Sequence, residues 1–175
     1  MRLLFEMDKN DYADCTRSFV RNSARSIIIS DKKVAMIHSE KYDYYKFPGG
    51  GIEAGEDPIE AMIRETREEA GLVIIPESVK EYGIVHRVQK SDKDPDVRFV
   101  QDNYYYLCAA EDEAVLQDLQ GYEAEEGYTL LYVDPWKAIY VNRSRKVGET
   151  PYTPTMFERE ERVLRMLIEE GYFDV

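Results

Sequence analysis

The segment GGIEAGEDPIEAMIRETREEAGL, residues 50–72, decides how this chain is read. Its middle is a helix with both ends written out. Asp57 is placed to cap the first free amides, Pro58 suits the first helical position, and Glu60 completes a capping-box spacing. Gly71 supplies the residue that a left-handed C-terminal cap favours. Between these ends Ile59, Met62, Ile63, Thr66 and Ala70 recur at helical spacing, a stripe expected to face a core.

On the same helix Glu65, Glu68 and Glu69 stand at i, i+3 and i+4, so their side chains share adjoining parts of one surface. With Ile59 set to zero they project at roughly 180–280°, against roughly 300° through 40° for the apolar stripe. Core side and acidic side are therefore expected to be largely separate. A solvated charged face, with Arg64 and Arg67 offsetting repulsion, would account for the acids alone. The bend just before the helix, Pro48-Gly49-Gly50-Gly51, with Glu56 following, argues for more. Glycine lets backbone carbonyls approach an ion closely. Hard cations such as Mg²⁺ take carboxylate and carbonyl oxygens and bridge to substrate phosphates.

Outward from this segment, residues 24–30 turn at Asp31-Lys32-Lys33 into Val34-Ala35-Met36-Ile37-His38, a hairpin pattern. One edge strand is expected within residues 1–22. Residues 79–89 and 98–110 read as two long strands paired around the polar turn 91–96, and residues 127–133 as another strand. Asp134-Pro135-Trp136 starts a short helix through Ile139, and Met156, Val163, Leu164, Leu167 and Ile168 mark a helix over 155–170. Strands and helices mix without regular alternation. That predicts an α/β fold with a mixed sheet flanked by helices, in a single domain over residues 1–175.

Composition narrows the function classes. The formal net charge of -12 argues against a broad nucleic-acid footprint. It leaves phosphate substrates open, because bound cations invert the local field. Cys15 and Cys108 are too few for a disulfide framework and read as buried small hydrophobes. His38 and His86 fall in separate strands, so zinc is not expected. No secretory apolar region and no membrane-length apolar run occur, which makes a cytoplasmic protein the default expectation.

Residue by residue, the opening segment resembles the catalytic box of the Nudix hydrolases: a glycine, five residues, a glutamate, seven residues, then Arg-Glu-apolar-x-Glu-Glu-x-Gly-apolar. Gly50, Glu56, Arg64, Glu65, Glu68, Glu69, Gly71 and Leu72 fill the pattern, and Thr66 stands where Ile, Leu or Val is usual. Its hydroxyl is expected to bond the carbonyl one turn back. The resemblance implies a Nudix-like α/β/α sandwich and a hydrolase dependent on Mg²⁺ or Mn²⁺. It would cut a phosphoanhydride bond in a nucleoside triphosphate or a nucleoside diphosphate derivative such as a nucleotide sugar. Glu65, Glu68 and Glu69 are the implied metal ligands, with the Gly50 carbonyl beside them; Glu65 could instead orient water. Glu56 and Arg64 are implied to pair and fix the loop.

A further acid from a later loop is also implied, and Glu111, Glu113, Glu123, Glu125 and Glu126 are equal candidates. For substrate contacts, Tyr45 and Tyr105 are candidate stacking surfaces, and Arg25, Lys46 and Arg98 candidate phosphate contacts. Core packing and surface charge are the alternatives for these five. The rival from another class is a catalytically silent Nudix-like module that senses a nucleotide or binds a protein. The C-terminal apolar stripe is compatible with a homodimer seam and equally with packing inside the chain.

Overall fold

The computed structural model describes residues 1–145, 148–150 and 154–174. Its first sheet joins β1 (Leu3–Asp8), β2 (Arg17–Val20), β3 (Ser23–Ile27), β7 (Gly49–Gly51), β8 (Lys80–Lys90) and β9 (Val97–Leu107). The order is β1-β8-β9-β3-β7, with β2 also on β9. It is mixed, since β1–β8, β2–β9 and β3–β9 run parallel while β8–β9 and β3–β7 run antiparallel. The second sheet, wholly antiparallel, orders β10 (Tyr128–Val133), β5 (Lys33–Ser39) and β4 (Ile29–Ser30), with β6 (Tyr44–Lys46) also on β5.

The expected hairpin over residues 24–38 is shorter than its sequence pattern. β3 belongs to the first sheet; only β4 turns back on β5, through Asp31 and Lys32, both at positive φ (49° and 60°). That pair of left-handed residues matches the twist of a tight hairpin. At the break, Ile28 O accepts from Ala35 N while Ile27 O accepts from Cys108 N, so consecutive carbonyls serve different sheets. The N-terminal region forms two strands, where one was expected.

Alternation along the strands explains the layers. Val34, Met36, Tyr45, Phe47 and Tyr105 enter one apolar cluster with Ala138 and Ile139 of α3 (Pro135–Arg143) and Val163, Leu164 and Leu167 of α4 (Pro154–Glu169). Their neighbours Ala35, Ile37, Tyr44 and Tyr106 enter a second cluster with Ala61, Met62 and Ala70 of α1 (Pro58–Ala70). Strands this apolar on both faces need a helix layer on each side, and the result is an α/β/α sandwich. Each fully buried Leu, Val or Met contributes about 1.5–3 kcal/mol, enough for three such residues to hold α4 in place.

α1 takes the predicted caps at Asp57 and Gly71, but among the described residues Glu60 does not return the side-chain bond to Asp57 N that would complete a capping box. The Asp57 carboxylate accepts from Ile59 N and Glu60 N, and Gly71, at φ 66°, returns its N–H to Arg67 O. The buried face is displaced from the expected stripe: it holds Ala61, Met62, Thr66, Glu69 and Ala70, while Ile59 is exposed. An acid thus lies on the core side. Thr66 differs too, since its hydroxyl donates across to Ser26 Oγ at 2.9 Å, tying α1 to β3. Cys15 and Cys108 are both half-buried free thiols. Among the described residues no helix is long and apolar enough to cross a membrane.

Candidate active site

β6 runs into Phe47 and Pro48 and then into β7, which lies along α1. Glycine is required at position 49, and at position 50 it leaves room for the Glu65 carboxylate. A Cβ at Gly49 (φ 133°) would overlap the Ala24 backbone, and one at Gly50 would enter the space of the Glu65 carboxylate. Arg25, buried beneath the turn, donates from Nη1 to the carbonyls of Phe47 (3.0 Å) and Gly49 (3.2 Å). The backbone beside the acids is therefore held from below.

Glu69 is 1% exposed. Its Oε1 lies 2.5 Å from Lys46 Nζ, and its Oε2 accepts from Gly49 N at 3.0 Å. These partners explain why an acid occupies the core side of α1: a buried carboxylate needs a cation and hydrogen bonds to remain ionised. The Gln117 side-chain amide donates to Glu69 O and Tyr128 O, fastening the 109–120 loop over the end of the helix.

One turn earlier, Arg64 organises the loop. Its Nε and Nη2 donate to Glu56 Oε1 (2.8 Å) and Oε2 (2.9 Å), Nη2 also reaches Gly51 O, and Nη1 reaches Glu65 Oε1 at 2.8 Å. The paired geometry is the strong, directional kind, and it holds the Glu56 carboxyl below the usual range. Burial lifts the Glu65 carboxyl above that range; the Arg64 hydrogen bond opposes the shift, while Glu69 and Glu68 add to it.

The later loop supplies Glu123, from α2 (Tyr122–Glu126). Oxygens of Glu65, Glu69 and Glu123 all lie within 4.8 Å of one another. Burial lifts the Glu123 carboxyl too, the Gln120 amide opposing and Glu69 adding. Glu126 plays a different part. Buried, it accepts from Tyr44 Oη (2.7 Å) and Ser39 Oγ (3.1 Å) and joins the two sides of the second sheet. Glu111, Glu113 and Glu125 are exposed. Glu68 lies outside the trio, with its side chain 37% exposed and 3.4 Å from Arg64 Nη1. Three hard oxygen donors that repel one another fit a divalent cation of the Mg²⁺ or Mn²⁺ type.

The candidate substrate contacts separate sharply. Tyr105 is a core residue, its ring edge-on to Phe47 at 5.6 Å, and therefore presents no stacking surface. Tyr45 is likewise buried, packed on His38 at 4.8 Å and bracketed by Asn142, which bonds both its N and its O. Arg25 directs its Nη1 to backbone carbonyls beneath the turn. Arg98 lies beside β2, donating to Ser18 Oγ. Along extended β9 it stands roughly 20 Å from Tyr105, which is paired to Arg25 near the glycine strand. Lys46 alone of the five touches an acid of the trio.

Two features of the site were not expected from the sequence. Tyr122, exposed at the start of α2, stands edge-on to Tyr128 at 6.1 Å. Although 53% of the residue is exposed, desolvation at the phenol pushes its pKa up to about 12, with Glu69 and Glu123 adding. On the opposite side of the turn, Glu160 is fully buried, accepting from Phe47 N at 2.8 Å and pairing with Arg159 at 2.7 Å. A signal existed for the second: Glu160 lies four residues after Met156 and four before Leu164, on the apolar stripe.

A helix that brings acids together beside a glycine strand, inside an α/β/α sandwich, defines the Nudix class of domain. A family profile described as the NUDIX domain matches residues 20–147, and this chain belongs to that family. Among curated relatives, the RNA pyrophosphohydrolase of Acinetobacter baylyi is 40% identical over 63 residues, 31% of this chain and 37% of that one. The U8 snoRNA-decapping enzyme of Homalodisca vitripennis is 35% identical over 71 residues, 39% and 38% of the two chains. The matches thus span little more than a third of these relatives. A solved MutT NUDIX hydrolase from Burkholderia pseudomallei shares the fold at a TM-score of 0.52 and 15% identity, over 83% of this chain and 98% of that one. A MutT structure from work on Aliivibrio salmonicida and Vibrio cholerae gives 0.53 and 18%, over 87% and 99%.

Proposed function

We propose that this chain is a divalent-metal-dependent pyrophosphohydrolase that cuts a phosphoanhydride bond in a nucleoside triphosphate or nucleoside diphosphate derivative. The observation that carries this reading is the convergence of Glu65, Glu69 and Glu123 within 4.8 Å, beside a glycine strand. These oxygens would hold a Mg²⁺ or Mn²⁺ ion, which would supply charge neutralisation at the diphosphate and acidify water. The chain's own residues do the rest. Glu65, held by Arg64 beside the other two acids, accepts the proton of the attacking water. A water oxygen bonds to phosphorus, the bridging P–O bond breaks, and two phosphate-bearing products leave.

Arg64, anchored by Glu56 and Gly51 O, keeps Glu65 turned toward the trio. Glu69 and Glu123 would hold the cation with the Gly50 carbonyl as a further oxygen, and Glu68 would serve from the solvent side. Tyr122 is an exposed ring whose phenol feels Glu69 and Glu123, and it is the candidate contact for a base. Neither free cysteine is needed, because the displacement requires no covalent intermediate.

The net charge of -12 favours a small substrate over an extended nucleic-acid chain. The decisive experiment is a panel of nucleoside triphosphates, nucleotide sugars and a 5′-triphosphorylated oligoribonucleotide, with Mg²⁺ or Mn²⁺, read by product identity. At least one compound should yield a nucleotide and a second phosphate product, and chelation should abolish the release. A folded, metal-loaded sample that binds a nucleotide and cleaves nothing would replace the enzyme with a binding module.

A further inference from the structure

Lys46 occupies an unusual place for an ammonium group. It lies on β6, whose register against Ile37 is set by the sheet, and is only 6% exposed. Its Nζ meets Glu69 Oε1 at 2.5 Å and stands 4.8 Å from the centre of the Tyr128 ring. A carboxylate and an aromatic face are what a desolvated cation seeks. Among the described residues it is the only cation in an ion pair with Glu69. Arg64, the other cation at the cluster, is committed to Glu56, Glu65 and Gly51 O.

The acid that Lys46 neutralises is also the most deeply buried of the three whose oxygens converge. If those oxygens take a divalent ion, two cations must share one carboxylate, and their mutual repulsion opposes entry of the ion. Without either cation, three acids would face one another with Arg64 as the remaining counter-charge. We propose that Lys46 is the resident counter-ion of the cluster: it holds Glu69 in place when no metal is bound and competes with the divalent ion for that carboxylate. Lys46 thereby sets how tightly the site takes its metal. This assignment rests on the metal-binding reading given above.

The test needs no substrate. Mn²⁺ binding to wild type and to Lys46→Met is measured by titration calorimetry, and thermal melting is followed with and without Mn²⁺. Wild type should bind saturably, and K46M should bind at least about tenfold more tightly, since a competing positive charge has been removed. Metal-free K46M should melt below metal-free wild type, and Mn²⁺ should recover most of the deficit. Where K46M fails to fold alone, refolding in Mn²⁺ should restore it; failure of that rescue overturns the proposal. Equal or weaker Mn²⁺ binding by a folded K46M overturns the Lys46 assignment alone. Absence of saturable Mn²⁺ binding in wild type overturns the metal reading and this one with it.

Discussion

Two glutamates grip the Phe47-Pro48-Gly49 turn from opposite sides. Glu69 of α1 accepts from Gly49 N, Glu160 of α4 accepts from Phe47 N, and they are 1% and 0% exposed. Each has one cation at close range, Lys46 for the first and Arg159 for the second. Their surroundings differ. Arg159 also donates to Asn103, and the acid beside it has its charge matched. Glu69 faces Glu65 and Glu123, and its one lysine leaves the group net negative. Burial of an acid therefore does not mark function here. Crowding of acids beyond the available counter-charge does, because a structural brace gains nothing from repulsion.

The contrast can be broken most directly at the balanced side. Glu160→Ala leaves Arg159 buried without its partner and should cost about 3–5 kcal/mol of stability, equally with and without Mn²⁺. A loss that Mn²⁺ repaired would mean that the two sides are not distinct. At the crowded side, Glu65→Gln should lower turnover by about a hundredfold if it is the proton acceptor, with melting little changed. The wild-type rate should fall as pH decreases and the proton acceptor becomes protonated. That acid limb should be missing from the residual activity of the variant.

Smaller effects sharpen the boundary of the cluster. Glu123→Gln should weaken Mn²⁺ binding by about tenfold or more, while exposed Glu125→Gln should leave the binding isotherm unchanged. Parallel results for the two variants would dissolve the trio. The least change is expected from Thr66→Val, which removes the bond to Ser26 and should cost about 1 kcal/mol. Its Mn²⁺ affinity should match wild type; a clear loss would show that the helix position itself depends on that hydroxyl.

The helix at the centre of the site is legible in the sequence because its signals are local: Asp57, Pro58 and Gly71 act on backbone groups within a turn of themselves. The long β8–β9 hairpin is legible for the same reason, from two β-rich runs around one polar loop. What is not legible is non-local. Whether Ile27 and Ile29 belong to one strand depends on which sheet supplies their partners, Leu107 in one case and Val34 in the other. Tyr45 and Tyr105 suit a stacking surface in sequence as well as they suit the core that contains them. Glu123 cannot be told from Glu126, three residues on, until the fold turns one toward Glu69 and the other toward Tyr44.

The bond from Phe47 N to Glu160 has a consequence for where this chain can be shortened. The family match stops at residue 147, yet the turn that carries the glycines is clamped by a side chain thirteen positions later. A fragment trimmed to the matched limits would keep every residue of the 50–72 segment and lose the far jaw of its clamp, together with the α4 side of one apolar cluster. The boundary of recognisable ancestry and the boundary of mechanical support do not coincide in this molecule.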